Sequence, residues 1–510
     1  MKLDPRTVSV DAHPHHDFGP ASFDELMAEQ LRHTPWLALS IAIHALVIGL
    51  FLMVPAHRYD SDGRVALVLP VVEEQVVEDE EPIVDEVQPD EPAEEPVLQD
   101  VEIAAEDLSD LGAEEFANAF DDTPPLDATN WNTALGLGGG GGGQGKFGMR
   151  SGGRRGLRAK GGHDTARAIE LGLEWLKQHQ DPDGRWDADG FMMNDADADT
   201  CDGAGNPVHD VGVTGLALLA FLGDGSTMRT GPYRQEIVNG ISWLRHQQDN
   251  RGLFGADASR DYIYDHAIGT LAMVEAYGLS EYRILRKYAQ RGIDYLELHR
   301  NPGGVWRYQP ASNSNDTSVT GWAVLAYKSA QDFGLHINED AMTCALEWFD
   351  AVTDPETGRC GYTRRGEGSS RHPGDHVDRF PLDRGEALTG VGLMCRFFLG
   401  QDPRENPVMR RAADRLLEKP PVWNADDGSI DHYYWYYGTY ALYQMGNPYW
   451  REWSRYVTKA VVKTQRADGP FRGSWDPIGV WGEDGGRIYS TATLILTLEA
   501  YYRYTRVLVR

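Results

Sequence analysis

Gly172-Leu-Glu-Trp175-Leu176, closed by Gln180-Asp-Pro-Asp-Gly184-Arg-Trp186, is a phrase this chain repeats. It returns as Gly240-Ile-Ser-Trp243-Leu244 with Gln248-Asp-Asn-Arg-Gly252-Leu-Phe254, and again as Gly292-Ile-Asp-Tyr295-Leu296 with Arg300-Asn-Pro-Gly-Gly304-Val-Trp306. The internal spacing is the same each time. One supersecondary unit is therefore stacked along the chain, and that repetition decides the fold before local propensity does.

Each copy reads as a helix stopped by a polar turn. Ala168, Leu171, Gly172, Trp175 and Leu176 share one face at helical spacing. The Gln falls in the last turn, where its amide can satisfy orphan carbonyls, and the Asp/Asn/Pro/Gly run that follows ends the helix. The aromatic two residues past the Gly is placed to fold back onto the preceding helix. Weaker copies surround Trp348-Phe349 with Gly361-Tyr362, and Gln465 to Phe471 with Gly473-Ser474-Trp475; one near Ala412 to Trp423 has lost the Gln.

Between these helices the pattern predicts second ones, over roughly 210–222, 264–277, 316–330, 385–399, 433–445 and 488–504. They are small and apolar nearly all round, as in Val213-Thr-Gly-Leu-Ala-Leu-Leu-Ala220, and such helices are buried. Six outer amphipathic helices alternating with six inner ones predict an all-α protein, an (α/α)6 toroid over 163–510.

The repeats resemble the QW repeats of the prenyltransferase and squalene-oxidase/squalene-cyclase superfamily. Within it, Tyr264-Asp265-His266-Ala267-Ile268-Gly269, Asp316-Thr317-Ser318-Val319-Thr320-Gly321-Trp322, Tyr433 to Tyr437, and Gly473 to Pro477 with Gly486 to Tyr489 are similar to bacterial repeat proteins found in planctomycetes. The resemblance implies a terpenoid cyclase/protein prenyltransferase-like toroid.

The front of the chain has another composition. Residues 1–35 form an arm, and 36–54 are an uncharged apolar run, Trp36 to Val54, just long enough to span a bilayer as a helix. No small-residue cleavage site follows, which favours an uncleaved anchor over a signal peptide. Ser40 and His44 lie four apart on one face of that helix, and an ionisable group in a membrane is a functional candidate. Ser-x-x-x-His in a single span followed by an acidic Pro/Val/Glu linker resembles TonB-type energy transducers. That resemblance implies a partner like the ExbB–ExbD proton-channel motor.

The linker is 55–135, and its 71–127 portion holds 22 acidic side chains and no Lys or Arg, most of the chain's net charge of −30. It reads as a disordered, extended tether. The Gly/Arg-rich stretch 136–162 reads as a flexible hinge able to touch anionic lipid, wall polymer or the tether. With an anchor and an acidic remainder, nucleic acid is excluded as a partner. The expected setting is a bacterial inner membrane, N-terminus cytoplasmic and C-terminal domain periplasmic.

Type II terpene cyclases protonate an alkene with the middle Asp of an Asp-x-Asp-Asp-Thr motif, because only a strong desolvated acid can do so. The matching stretch here is Asn313-Ser314-Asn315-Asp316-Thr317, whose middle residue, Asn315, has no proton to give. Asp316 stays open as an acid or as a helix cap. Protein prenyltransferases hold zinc with Asp, Cys and His; Asp199, Cys201 and His209 only partly match, and no cofactor is assigned, with zinc or calcium near those three left open. Cys344 and Cys360 could pair in an oxidising periplasm, which spacing alone does not establish.

What remains is the ring's mouth. Starts of inner helices carry His209 with Asp210, Asp265 with His266, Asp316, Glu386, His432 with the aromatic run containing Tyr434 and Trp435, and Arg487 with Tyr489. Converging helix ends would gather these around one cavity. Asp316, His266 and His432 are the catalytic candidates; His209, Asp210, Asp265, Glu386, Tyr434, Trp435, Arg487 and Tyr489 are the cavity candidates. Three functions stay open: a toroid binding an apolar, isoprenoid-like or cell-envelope ligand; an isoprenoid or glycan enzyme using Asp/His pairs at the mouth; and a motor-coupled interaction module.

Overall fold

The computed structural model describes residues 153–159, 162–195 and 200–503, all within the second of two compact units, 1–101 and 102–510. The span expected at 36–54, with Ser40 and His44, and the linker at 55–135 lie outside the described residues. Among the described residues no helix is long and apolar enough to cross a membrane. They are helical, with no strand beyond isolated bridges such as Gln248–Phe254 inside a repeat turn.

A short helix, α1 (Gly153–Ala159), precedes the first outer helix α2 (His163–Gln178) and the first inner helix α3 (Asp210–Gly223). Outer and inner helices then alternate: α4 (Arg234–His246) with α5 (Tyr262–Ser280), and α6 (Arg283–His299) with α7 (Thr317–Asp332). The fourth outer helix, α8 (Glu339–Val352), is joined by a long connection holding α9 (Asp375–Arg379) to inner helix α10 (Ala387–Phe398). The series ends with α11 (Pro407–Leu417) and α12 (His432–Met445), α13 (Tyr449–Val461) and α14 (Gly482–Leu498), and the short α15 (Ala500–Arg503).

Helices α3, α5, α7, α10, α12 and α14 each pack against the inner helices before and after, and α14 packs on α3, which closes the ring. Every residue of α3 after Asp210 is buried, whereas α2 buries a stripe running through Ala168, Ile169, Gly172, Leu173, Trp175 and Leu176. Small residues set the inner spacing: a Cβ on Gly390 of α10 would lie 3.0 Å from the Gly438 backbone nitrogen of α12. This is the expected α/α toroid.

The repeated phrase is the seam between neighbouring units. The Gln180 amide donates to its own turn at Gly184 O (2.8 Å) and across to Glu236 O on the next outer helix (2.9 Å). Gln248 does the same to Gly252 O and Tyr288 O, and Gln465 to Gly473 O and Ala168 O, so the last seam lands on the first outer helix. Arg300 replaces Gln in the third copy and reaches only its own turn, at Gly304 O (2.9 Å). The folded-back tryptophans donate into the end of the preceding helix: Trp186 to Leu176 O, Trp306 to Leu296 O (both 2.7 Å) and Trp475 to Val461 O (2.8 Å). Gly473 sits at φ +98°, and a Cβ there would be 2.2 Å from Leu171 O, so only glycine lets the closing turn dock.

Two expectations change, and the state of the cysteines, left open by spacing, is read directly. Residues 153–159, assigned to the hinge, form a helix with Leu157 buried, and Arg154 bonds Asp224 at 2.5 and 2.8 Å. Helix α14 starts ahead of the expected residue 488, with Gly486 in a non-helical conformation that breaks its first turns. Cys344 and Cys360 are not bridged; Cys201, Cys344, Cys360 and Cys395 are all free thiols.

Candidate functional site

The first turns of the inner helices do converge, and a cavity of about 320 Å³ opens among them. Gly212, Val213 and Leu216 of α3, Ile268 of α5, Trp322 of α7, Leu388 of α10 and Tyr433 of α12 give it a mostly apolar wall. Aromatic packing fixes that wall. Trp322 stacks on Tyr436 (5.8 Å between centroids, 12°) and meets Tyr437 edge-on, while the Tyr433 hydroxyl shares a hydrogen bond with Ser318 Oγ (2.9 Å).

The rim is polar. His209 Nδ1 lies 3.0 and 3.2 Å from the two Asp265 oxygens. Burial opposes a charge on His209, but the bond to Asp265 outweighs it and pushes the imidazole up to about 9, so it is cationic at neutral pH. His372 faces Asp484 (3.0 Å), and Arg371 is paired with the buried Asp431 (3.2 Å). Arg260 and Arg307 form no ion pair with a described residue; both guanidiniums lie over the Tyr308 ring, at 5.1 and 5.8 Å. Asp261 is the remaining rim carboxylate.

Of the cavity candidates read from sequence, His209, Asp265 and Tyr489 line this space. The others are placed in seams or core. Asp210 accepts from Ala188 N (2.9 Å) and from Arg185. Glu386 is held by Arg359, Arg415 and Lys419; burial works against its charge, yet Arg359 in contact keeps it below the usual carboxylate range. Tyr434 donates to Lys419 O (2.8 Å), and Arg487 is buried against Asp202 and Asp476. Trp435 is a core residue beside Trp423 and His432.

The three catalytic candidates do not line the cavity. His266 Nδ1 accepts from Phe254 N (3.0 Å) and Nε2 donates to Gly292 O (3.1 Å), tying α5 to a repeat turn; burial drives its pKa down to about 3. His432 is sandwiched against Trp423 (5.6 Å, 25°), and burial likewise takes it to about 3. Asp316 caps α7 through Val319 N (2.8 Å) and is fully buried, which raises it to about 7; its other oxygen is 3.5 Å from the Tyr362 hydroxyl, itself 2.7 Å from that of Tyr308. Asn315, at the position of the cyclase acid, accepts from Asn301 Nδ2 (2.8 Å) within the repeat turn.

Sequence reasoning missed Tyr264, Arg260, Arg307, Tyr308 and Tyr362 and the segment Ser369–Pro373, all lining the cavity. Arg307 and Tyr308 directly follow the seam residue Trp306, and Tyr362 follows Gly361, so their signal was their position just beyond a repeat turn. Residues Ser369–Pro373 lie in the irregular connection between α8 and α10, where no repeat marks them. The partial metal trio is also redistributed: Asp199 is outside the described residues, His209 is engaged by Asp265, and Cys201 joins His179 and Asp195 instead.

No protein-family model matches the chain. It is similar to the squalene–hopene cyclase of Bradyrhizobium diazoefficiens, 25% identical over 207 residues that cover 38% of this chain and 29% of that enzyme. The chain thus spans under a third of the length of this curated relative. Among solved structures, it is similar to the type II terpene cyclase MstE from Scytonema (TM-score 0.41, 14% identity, 66% of this chain and 98% of that one). It is also similar to the α-1,6-mannanase GH76A of a Salegentibacter species (TM-score 0.43, 12% identity, 66% and 98%).

Proposed function

We propose that this chain is a membrane-anchored periplasmic toroid that binds an amphiphilic, isoprenoid-like or cell-envelope ligand in its central cavity rather than cyclising an alkene. One observation carries this reading: the cavity wall is apolar and aromatic, while Asp316, His266 and His432, the candidate acids and bases, are walled off from it. An apolar enclosure with a few convergent polar groups is the usual form of a small-molecule site.

The rim favours an anionic head on that ligand. Asp265 faces the cationic His209 and Arg371 faces Asp431, while the Arg260 and Arg307 guanidiniums line the mouth with no ion pair to a described residue. The N-termini of the inner helices point the same way, and each adds partial positive charge. The anchor at 36–54 belongs to this proposal and rests on the sequence, as does any coupling through Ser40 and His44 to an ExbB–ExbD-type motor.

Mass spectrometry of small molecules retained by the purified full chain tests the reading. Changing Arg260 and Arg307 together to alanine should reduce retention of an anionic amphiphile about tenfold or more, since a charged hydrogen bond contributes about 1.5–3 kcal/mol. Retention unchanged in that variant would remove the anionic head from the account.

A second reading is supported by the contact between His209 and Asp265, two sequence candidates from different helix starts that meet at the cavity. A cationic imidazole there can act as a general acid on a bound isoprenoid or glycan. Turnover abolished by His209→Ala, with ligand still retained, would select it.

A further inference from the structure

We propose that His179, Asp195 and Cys201 form a zinc site that ties the end of the first outer helix to the connection that follows it. Nothing in the cavity argument requires it, and none of the three lines the cavity.

The three side chains come from the end of α2 and the connection to α3, and one ligand atom from each lies within 4.8 Å of the other two. All three are nearly inaccessible: the side chains of His179 and Asp195 are each 2% exposed and Cys201 is 4% exposed. Their order is set by neighbours. His179 Nδ1 is 2.7 Å from Trp175 O, and a carbonyl only accepts, so Nδ1 carries the proton and Nε2 is the ring atom turned to the group. The ring is fixed by stacking on Trp175 (4.0 Å, 25°) and by the edge of Phe191 (5.7 Å). Asp195 Oδ2 accepts from Cys201 N (2.6 Å), which leaves Oδ1 facing Nε2 at 2.9 Å. Cys201 Sγ lies 3.7 Å from the same Nε2.

A bare Nε2 lone pair against a carboxylate oxygen is repulsive, so a cation belongs between them: a second ring proton or a metal. A ring proton joins the histidine to the aspartate and leaves the thiol donating to Pro470 O (3.2 Å); a metal takes the place of both protons and uses all three side chains. Nitrogen, sulfur and oxygen donors in one closed, buried group suit zinc, whose bonds of about 2.0–2.3 Å place neighbouring ligand atoms roughly 3.3–3.7 Å apart in a tetrahedron. Nε2 and Sγ are already 3.7 Å apart, while Nε2 and Oδ1, at 2.9 Å, have to separate by a few tenths of an ångström to take the ion. The second bonds match. A zinc-bound histidine ordinarily donates its other N–H to a carbonyl or carboxylate, and a ligating carboxylate is itself hydrogen-bonded.

The place gives the site its role. Pro470 O, in the last repeat, lies 3.2 Å from Cys201 Sγ and also accepts from Trp175 Nε1 (2.9 Å). The group therefore sits where the closing seam, held by Gln465 on Ala168 O, meets the first outer helix. A metal there fixes the end of α2 and its connection to α3, the surface on which the last repeat docks through Trp175 and Pro470.

The test uses the full chain, loaded with zinc, passed over a weak chelator and analysed for metal content. We expect one zinc per chain, none in Cys201→Ser, and at least tenfold weaker retention in Asp195→Asn. Cobalt(II) in place of zinc should give a sulfur-to-cobalt charge-transfer band that Cys201→Ser removes while helical circular dichroism persists. Strong chelation should lower the melting temperature of the wild-type chain. If Cys201→Ser does not fold, the Asp195→Asn and chelation results decide. A folded wild-type chain that takes up no zinc, or zinc kept equally by both variants, overturns the site and leaves an imidazolium–carboxylate pair beside a thiol.

Discussion

Asp265 and His266 are adjacent on one helix start, yet they serve two different regions. Asp265 turns into the cavity and holds His209, whereas His266 turns outward into the seam, bonded to Phe254 N and Gly292 O. One residue of helix, about 100° of rotation, separates the mouth of the cavity from the repeat interface. The seam is closely paired: the Gln180, Gln248 and Gln465 amide nitrogens and the Trp186, Trp306 and Trp475 indoles all donate to backbone carbonyls. The mouth is not, since Arg260 and Arg307 rest on Tyr308 with no carboxylate in contact among the described residues. The seam and the cavity are thus lined by different faces of the same helices.

Breaking the seam should cost most. Trp306 is fully buried, packs on Tyr327 (5.2 Å) and donates to Leu296 O, so Trp306→Ala should destabilise the fold by about 3–5 kcal/mol in denaturant unfolding. A loss below 1 kcal/mol would mean that the folded-back aromatic does not hold the repeat.

Gln465→Leu removes one bond within the last turn and the one that joins it to the first outer helix, and should cost a smaller amount, about 1–2 kcal/mol. Equal effects from Gln465→Leu and from a surface glutamine such as Gln235 would deny the closing seam any special weight.

The mouth should respond to pH rather than to packing. Asp265 raises His209 above its ordinary range, to about 9, so the pair's stabilisation is whole below about pH 6.5 and fades as pH rises through about 9. The difference in melting temperature between wild type and His209→Gln should therefore shrink steadily across that window. A difference that grows with pH would reverse the assignment of charge.

The ring was legible because its signals are local. Small apolar runs such as Val213–Ala220 can only be buried helices, and Gln, Gly and Trp at fixed spacing mark turns of one kind. The mouth was only partly legible. His209, Asp265 and Tyr489 were found because they start inner helices, but so do His266 and His432, and the phase of a helix start that sends one inward and its neighbour outward is set by packing. Arg371 and His372 reach the rim from an irregular connection with no periodicity to read. The surroundings of Cys201 were not legible for a similar reason: in sequence it stands near Asp199 and His209, while its contacts are His179, on the preceding helix end, and Asp195.

The most direct test is native mass spectrometry of the full chain and its Leu216→Trp variant, which fills the cavity from α3. The account predicts a small molecule retained by the wild type and lost from the variant, with the helical circular dichroism of both alike. A retained molecule that stays bound when the cavity is filled would contradict it.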